Sequence, residues 1–221
     1  MEDLHNALIS NATPVHASVN YINADEDLQN QFDQALQQAR NTLSKATGKP
    51  ASIEEVQGLI QSIKDTKEAL NGDQRLAKAK FKAEIFINQL KDLNNAQRVD
   101  SIKQANDTDN LKDLSQIVST ASDLNNSMSE LKAKLKETVN PVKSSINYIN
   151  ADYDLKRQFN KAIKDAREAL SKTKGANLNE RDIQGLSQAI DSTKDALNGE
   201  QRLAEAKEKP KQFIKQLDTL N

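Results

Sequence analysis

Tyr21-Ile22-Asn23-Ala24-Asp25 recurs as Tyr148-Ile149-Asn150-Ala151-Asp152, an offset of 127 residues. Holding that offset without a gap aligns 15–94 with 142–221, and 43 of those 80 positions are identical. The match extends upstream through Pro14/Pro141, Leu8/Leu135, Leu4/Leu131 and Met1/Met128. All six glycines fall into pairs: Gly48/Gly175, Gly58/Gly185 and Gly72/Gly199. Identity at about half of an ungapped stretch marks a tandem repeat. The chain reads as one full unit, 1–127, followed by about three quarters of a second, 128–221. Both ends are expected to lie inside a longer array.

Within the unit the apolar spacing is helical almost throughout. Residues 1–23 carry Leu4, Leu8, Val15, Val19 and Ile22. Asp25 reads as an N-cap, with Glu26 and Asp27 favourably placed at the positive end of the helix dipole. The helix after it bears Leu28, Phe32, Ala35, Leu36, Ala39 and Leu43 on one stripe, and Gly48-Lys49-Pro50 ends it. Ser52-Ile53-Glu54-Glu55 has capping-box spacing and opens a third helix with Ile53, Val56, Leu59, Ile60, Ile63 and Leu70. Asn71-Gly72 reads as a C-terminal stop. A fourth helix, about 73–94, shows Leu76, Ala79, Ala83, Phe86, Leu90 and Leu93; a short fifth, capped by Asn94 or Asn95, bears Val99 and Ile102. A sixth starts near Asn110, and its stripe continues through Leu114, Ala121, Met128, Leu131 and Leu135 to Ile146 and Ile149. Alternation of period two is missing, so the expected fold class is all-α.

Three amphipathic helices of this size close a small core, which predicts tandem three-helix bundles. The sixth helix shows no turn cluster before the next bundle begins. It is therefore expected to run on from about 110 to 150, roughly 60 Å at 1.5 Å per residue, joining the bundles through long shared helices into an elongated rod. Proline leaves two readings open. Pro14 and Pro141 either kink one continuous helix, or follow Thr13 and Asn140 as caps at the first position of an abutting helix. Pro210 replaces Ala83 of the first copy and should bend or fray the last helix. That segment, 200–221, matches the first helix of a bundle, so Leu203, Ala206, Phe213, Leu217 and Leu220 are expected to lack partners.

Composition narrows the function classes. Only 36% of the residues are hydrophobic and 4% aromatic, with no Trp, too little for one large core and enough for small bundles. Lys plus Arg number 31 against 32 Asp plus Glu, which gives no basic excess for a nucleic-acid binder. No Cys is present, so there are no disulfides or thiolate sites. No apolar run is long enough for a membrane span, and Met1-Glu2-Asp3-Leu4-His5 is no signal peptide.

The residues that carry chemistry elsewhere have plainer readings here. His5 and His16 are eleven apart, but the copy has Lys132 and Lys143 there, so they read as solvent-facing and not as a metal pair. Asp25 and Asp27 recur as Asp152 and Asp154 without the glycine and terminal glutamate of a calcium loop, and helix capping explains them. Tyr21/Tyr148 and Asn23/Asn150 lie at a helix junction, the tyrosine expected on the bundle end with its hydroxyl toward water. Gly58/Gly185 sits inside a helix at a cost of about 1 kcal/mol relative to Ala, which points to close helix approach. No catalytic, cofactor-binding or metal-binding residue is expected, and the chain reads as no enzyme.

The Tyr-x-Asn-Ala-Asp segments, the Ala-Leu-Asn-Gly turns at 69–72 and 196–199, Leu76-Ala77-Lys78-Ala79-Lys80 and Leu93-Asn94-Asn95-Ala96-Gln97 resemble the tandem repeats of the Ebh family. These are giant staphylococcal extracellular-matrix-binding proteins whose repeats pair a FIVAR module with a GA-like module. The resemblance implies a FIVAR-like bundle at 1–71, a GA-like bundle at 73–140 whose last helix runs on, a second FIVAR-like bundle at 141–198, and the first helix of a second GA-like bundle at 200–221. It implies a cell-wall-associated surface adhesin: a rod or spacer contributing multivalent binding to matrix proteins such as fibronectin. A discrete GA-type site for serum albumin is the alternative. The expected state is a monomer, attached to the cell wall through other parts of its parent, with no nucleic-acid partner. Pro14, Pro141 and Pro210 are departures from the family pattern that bear on straightness.

Overall fold

In a computed structural model, which describes residues 1–44 and 51–218, the secondary structure of the described residues is all helical. In chain order the helices are α1 (Glu2–His16), α2 (Val19–Ile22), α3 (Glu26–Leu43), α4 (Ile53–Glu68), α5 (Gly72–Gln89), α6 (Asn95–Asp107), α7 (Leu111–Ser144), α8 (Ile146–Ile149), α9 (Tyr153–Ala169), α10 (Glu180–Asp195) and α11 (Gly199–Asp218). They form two compact units. One comprises Met1–Phe86 with Gln104–Val118, the other Ile87–Lys103 with Ser119–Asn221. Helices α5, α6 and α7 contribute to both, and α7, 34 residues long, is the long joined helix that the unbroken stripe implied.

In the first unit α1, α3 and α4 pack on one another. The stripe of α3 buries Phe32, Ala35, Leu36 and Ala39 against Leu4, Val15, Ile63 and Leu70. Burial of a side chain the size of Phe32 stabilises by about 2–3 kcal/mol. Ser52 and Glu55 close the expected capping box, with Glu55 N–H donating to Ser52 Oγ (3.1 Å) and Ser52 N–H to Glu55 Oε2 (2.7 Å). In the second unit α9 and α10 pack together, burying Phe159, Ile163, Ile183 and Ile190. Asn179 and Asp182 form the corresponding box.

Several expectations are corrected. The helix expected over 110–150 ends at Ser144, and α8 follows as a separate turn. The break belongs to Ser145, whose hydroxyl donates to Val142 O (2.7 Å) and accepts from Tyr148 N–H (3.1 Å). Ser18 does the same with Val15 and Tyr21. A serine offering its own bonds to the backbone competes with the helix. Pro14 and Pro141 lie inside the last turns of α1 and α7, so neither is a first helical residue capped from in front. Apolar positions at helix margins also differ. Ile53 is 73% exposed, Val99 66% and Phe86 40%, while Ile87, which the stripe reading passed over, is fully buried. Ile22 is exposed as well, and Asn23 beside it is buried.

Helix α11 runs through Pro210, with Phe213 and Ile214 exposed and Leu203 only half-buried. The first-copy counterparts of Leu203, Pro210 and Ile214 are Leu76, Ala83 and Ile87, all buried, while Phe86, the counterpart of Phe213, is exposed as well. The Gly48-Lys49-Pro50 stop, the Leu217 side chain and Leu220 lie outside the described residues.

Candidate functional site

The most elaborate polar constructions are at the helix junctions. In the first unit, α2 delivers Asn23 to the start of α7. Its Nδ2 donates to Asp109 O (2.8 Å) and Val19 O (2.9 Å), and its Oδ1 accepts from Leu111 N–H (2.8 Å). Leu111 N–H is one of the unpaired donors of a helix N-terminus, so Asn23 caps α7 across 88 residues of sequence. Arg75 Nη1 donates to Asn23 O (2.6 Å), and its Nε pairs with Asp25 (3.1 Å). Asn71 exchanges two hydrogen bonds with Asp25, and Asn20 accepts from Asp73 N–H. Asp25 thus stands at the N-cap position of α3 but makes no side-chain cap, because its carboxylate is spent on Asn71 and Arg75.

Gly72 is what lets α5 start there. A Cβ at this position would lie 2.1 Å from Asn20 O and 2.7 Å from Ala24 N, and Gly199 repeats this with Asn147 O at 2.2 Å. No described residue has a positive φ, so close backbone approach, and not a left-handed conformation, explains the glycine at the stop read from Asn71-Gly72. Asn147, Asp152, Asn198 and Arg202 repeat the local bonds. The Asn150 side chain keeps, among the described residues, only its bond to Ile146 O, and Asn150 is not buried.

A second junction, within the second unit, ties α6 to the turn after α9. Asn94, fully buried, donates to Ala169 O (3.2 Å) and Ala176 O (2.9 Å). Asn94 and Gln97 cap each other reciprocally, and Gln97 Nε2 donates to Leu178 O (2.9 Å). Every buried side-chain polar atom described has a partner. Nearby, the hydrogen bond from Lys132 (2.8 Å) holds the Asp92 carboxyl below its usual range against the opposing effect of burial. Burial pushes Lys172 down, with Asp92 opposing; its ammonium donates to Leu93 O (2.9 Å) and Lys91 O.

His16 does not face solvent freely as expected. It lies edge-on to Tyr21 with ring centroids 4.5 Å apart, and its Nε2 meets Asp33 Oδ1 at 2.6 Å. Tyr21 Oη donates to Asp33 Oδ2 (2.8 Å), so the hydroxyl points to a carboxylate and not to water. Burial, then the bond to Asp33, push the phenol up to about 12. The copy carries Lys143 and Asn160 in these places, and the Tyr148 hydroxyl pairs with Asn160. His5 is exposed, and the structure does not bring it together with His16 as a site. Asp27 is exposed, and among the described residues Asp154 pairs only with Arg157. Gly58 and Gly185 have open space where a Cβ would sit, which overturns close helix approach.

Among the described residues no group of three or more His, Asp or Glu side chains is gathered to hold a metal, and no helix is long and apolar enough to cross a membrane. What the arrangement can do is hold neighbouring helices in fixed relation and present charged surface. The junction amides were not legible as partners, because Asn23–Leu111 and Asn94–Ala176 are pairs of distant positions; the only signal was an Asn recurring beside a helix end.

Comparison with known proteins agrees with this architecture. The FIVAR domain family matches residues 1–71 and 127–198, and the GA module matches 73–127 and 200–221. Extracellular matrix-binding protein ebh of Staphylococcus aureus strain MW2 is 36% identical over all 221 residues, and EbhA of strain Mu3 is likewise 36% identical over the full chain. The chain spans only 2–3% of the length of these relatives. The crystal structure of the EbhA 756–1003 domain from S. aureus superposes with a TM-score of 0.86 at 26% identity, covering 96% of this chain and 83% of that one. A structure from work on Embp-mediated adherence of Staphylococcus epidermidis to fibronectin aligns at 0.51 and 26% identity, covering 57% of this chain and 98% of that one. The chain belongs to the FIVAR domain family, its two FIVAR segments alternating with GA-module segments in the manner of the Ebh repeats.

Proposed function

We propose that this chain is a repeat segment of a cell-surface adhesin. It serves as a stiff spacer that extends from the cell wall and contributes weak, many-fold contacts to extracellular-matrix proteins such as fibronectin. The observation that carries the reading is identity along the full chain to relatives named extracellular matrix-binding proteins. The module boundaries proposed are 1–71, 73–140, 141–198 and 200–221. The long helix α7 and the Asn23 and Asn94 junctions support stiffness, since a shared helix bends far less than a flexible linker. No Trp is present to anchor a hot spot, so affinity is expected from repetition: linked weak sites gain avidity without new contacts. The role is non-catalytic, and the segment itself is a monomer.

Two measurements test this. Scattering from the segment should give a radius of gyration well above the roughly 17 Å of a single globule of this length; a value near that figure removes the spacer role. Tandem arrays of one, two and four copies should bind immobilised fibronectin with steeply rising retention, and a four-copy array that washes off like a single copy removes the matrix role. The GA-module match at 73–127 favours a second reading, serum albumin binding. No heat or shift on titrating albumin to tens of micromolar would retire it.

A further inference from the structure

We propose that the second FIVAR segment carries a binding groove for a linear oligoanion bearing sulfate or phosphate groups. The groove, about 570 Å³, opens between the end of α7, the face of α9 and the turn that follows it. Lys143, Lys164, Arg167 and Lys174 line it against a single carboxylate, Glu168, a local charge of +3 in a chain whose net charge is -1. Glu168 is engaged by Lys164 (3.5 Å), and the nearby Asp165 by Lys161 (2.5 Å). The side chains of Lys143, Arg167 and Lys174 form no ion pair among the described residues and are exposed. Like charges converging without counter-charge destabilise a fold slightly, so packing alone does not account for the arrangement.

The first copy is the internal control. At the matching positions it has His16, Gln37, Arg40 and Thr47 for the four cations, and Asp33 where the groove has Asn160. There His16, Tyr21 and Asp33 bind one another. In the second copy the Tyr148 hydroxyl pairs with the neutral Asn160 (2.9 Å), so no carboxylate competes with a ligand at that end. The described helices of the first copy, α1, α3 and α4, are built without the cluster, so the cluster is an addition to them.

The spacing indicates a polymer. Lys164 and Arg167 stand one turn apart, about 4.5 Å along the axis, while Lys143 and Lys174 come from other elements and widen the positive surface beyond the reach of a single phosphate. Ile163, fully buried beneath, supplies an apolar floor, and Ser171 a hydroxyl. Arg167 offers the planar fork suited to sulfate or phosphate oxygens.

The test uses the full chain with three probes: a heparin-derived sulfated hexasaccharide, inorganic polyphosphate of similar length, and an unsulfated hyaluronan hexasaccharide. Amide and side-chain NMR shifts should move at 143, 160 and 163–174 with at least one of the first two. Sulfated sugar alone marks a glycan sulfate as the ligand group, and polyphosphate alone a phosphodiester-like chain. Affinity should fall about tenfold or more between about 50 and 200 mM salt, as contacts to a polyanion release counterions. The double variant Arg167→Gln/Lys174→Gln, at exposed positions, should keep its melting curve and bind about tenfold more weakly, whereas Arg40→Gln in the first copy should bind as the parent does. Binding by neither anionic probe at about 1 mM, shifts confined to other surfaces, or an unaffected double variant would overturn the proposal.

Discussion

Asn23 and Asn150 occupy the same place in the repeat and do different work. Asn23, itself buried, satisfies a carbonyl and a helix-terminal N–H of a distant segment, and the Asn150 side chain bonds only its own turn. Asn23→Ala should therefore cost about 0.5–2 kcal/mol, the loss of a helix cap, while Asn150→Ala stays within about 0.5 kcal/mol; urea midpoints of the two variants measure this. Tyr21 has a clear sign with pH. Its phenol keeps its proton in the folded state up to about 12, above the 10.0 of the free group. The unfolded chain loses that proton first, so this contribution to stability is present below 10 and lost as pH rises toward 12. Absorbance titration should show the late transition, and Asp33→Asn should bring it down. Asp92 behaves oppositely. Its folded value is depressed by Lys132, so its contribution is present above the unfolded carboxyl range and lost on acidification through the folded value. Lys132→Gln should lower stability at pH 7 by up to about 1 kcal/mol and shift the acid limb of a stability profile to higher pH.

At the scale of helices, the matched glycines divide into two kinds that look alike in sequence. Gly58 and Gly185 face open space in the middles of α4 and α10, and neither has a positive φ. Gly58→Ala and Gly185→Ala should each stabilise by about 0.5–1 kcal/mol, since nothing clashes and alanine restricts the unfolded chain. Gly72→Ala puts a methyl onto the backbone of α2 and should destabilise by about 1–3 kcal/mol; thermal melts of the three variants give the comparison. Helix types, the caps at Ser52 and Asn94 and the breaks near 107–110 were legible, because periodicity and capping act within a few residues. Legibility failed at the margins. Ile53, Phe86 and Val99 fit a stripe yet are exposed, and Ser145 rather than Pro141 ends α7, because neighbours from elsewhere in the chain decide which edge of a stripe is covered.

For the molecule as a whole, the repeat makes stability a matter of neighbours. In the second unit, Asn94 and Gln97 find their acceptors at 169–178, and Met128 and Leu131 are fully buried. A chain cut after 127 should exchange the amide hydrogens of 95–103 at least about tenfold faster than the full chain, since the lost acceptors leave buried amides unpaired. Equal exchange rates would show that the α6 segment stands without them.

The ungapped 127-residue repeat, the all-helical pattern and the family were settled by local order alone, because period, capping and motif identity need no knowledge of what lies across the core. Which asparagines became junction clamps, which glycines mark close approach, and that four cations of the second copy share one groove depended on the packed chain. The physical reason is distance: these effects arise between residues far apart in sequence, and only folding brings their atoms within a few ångströms.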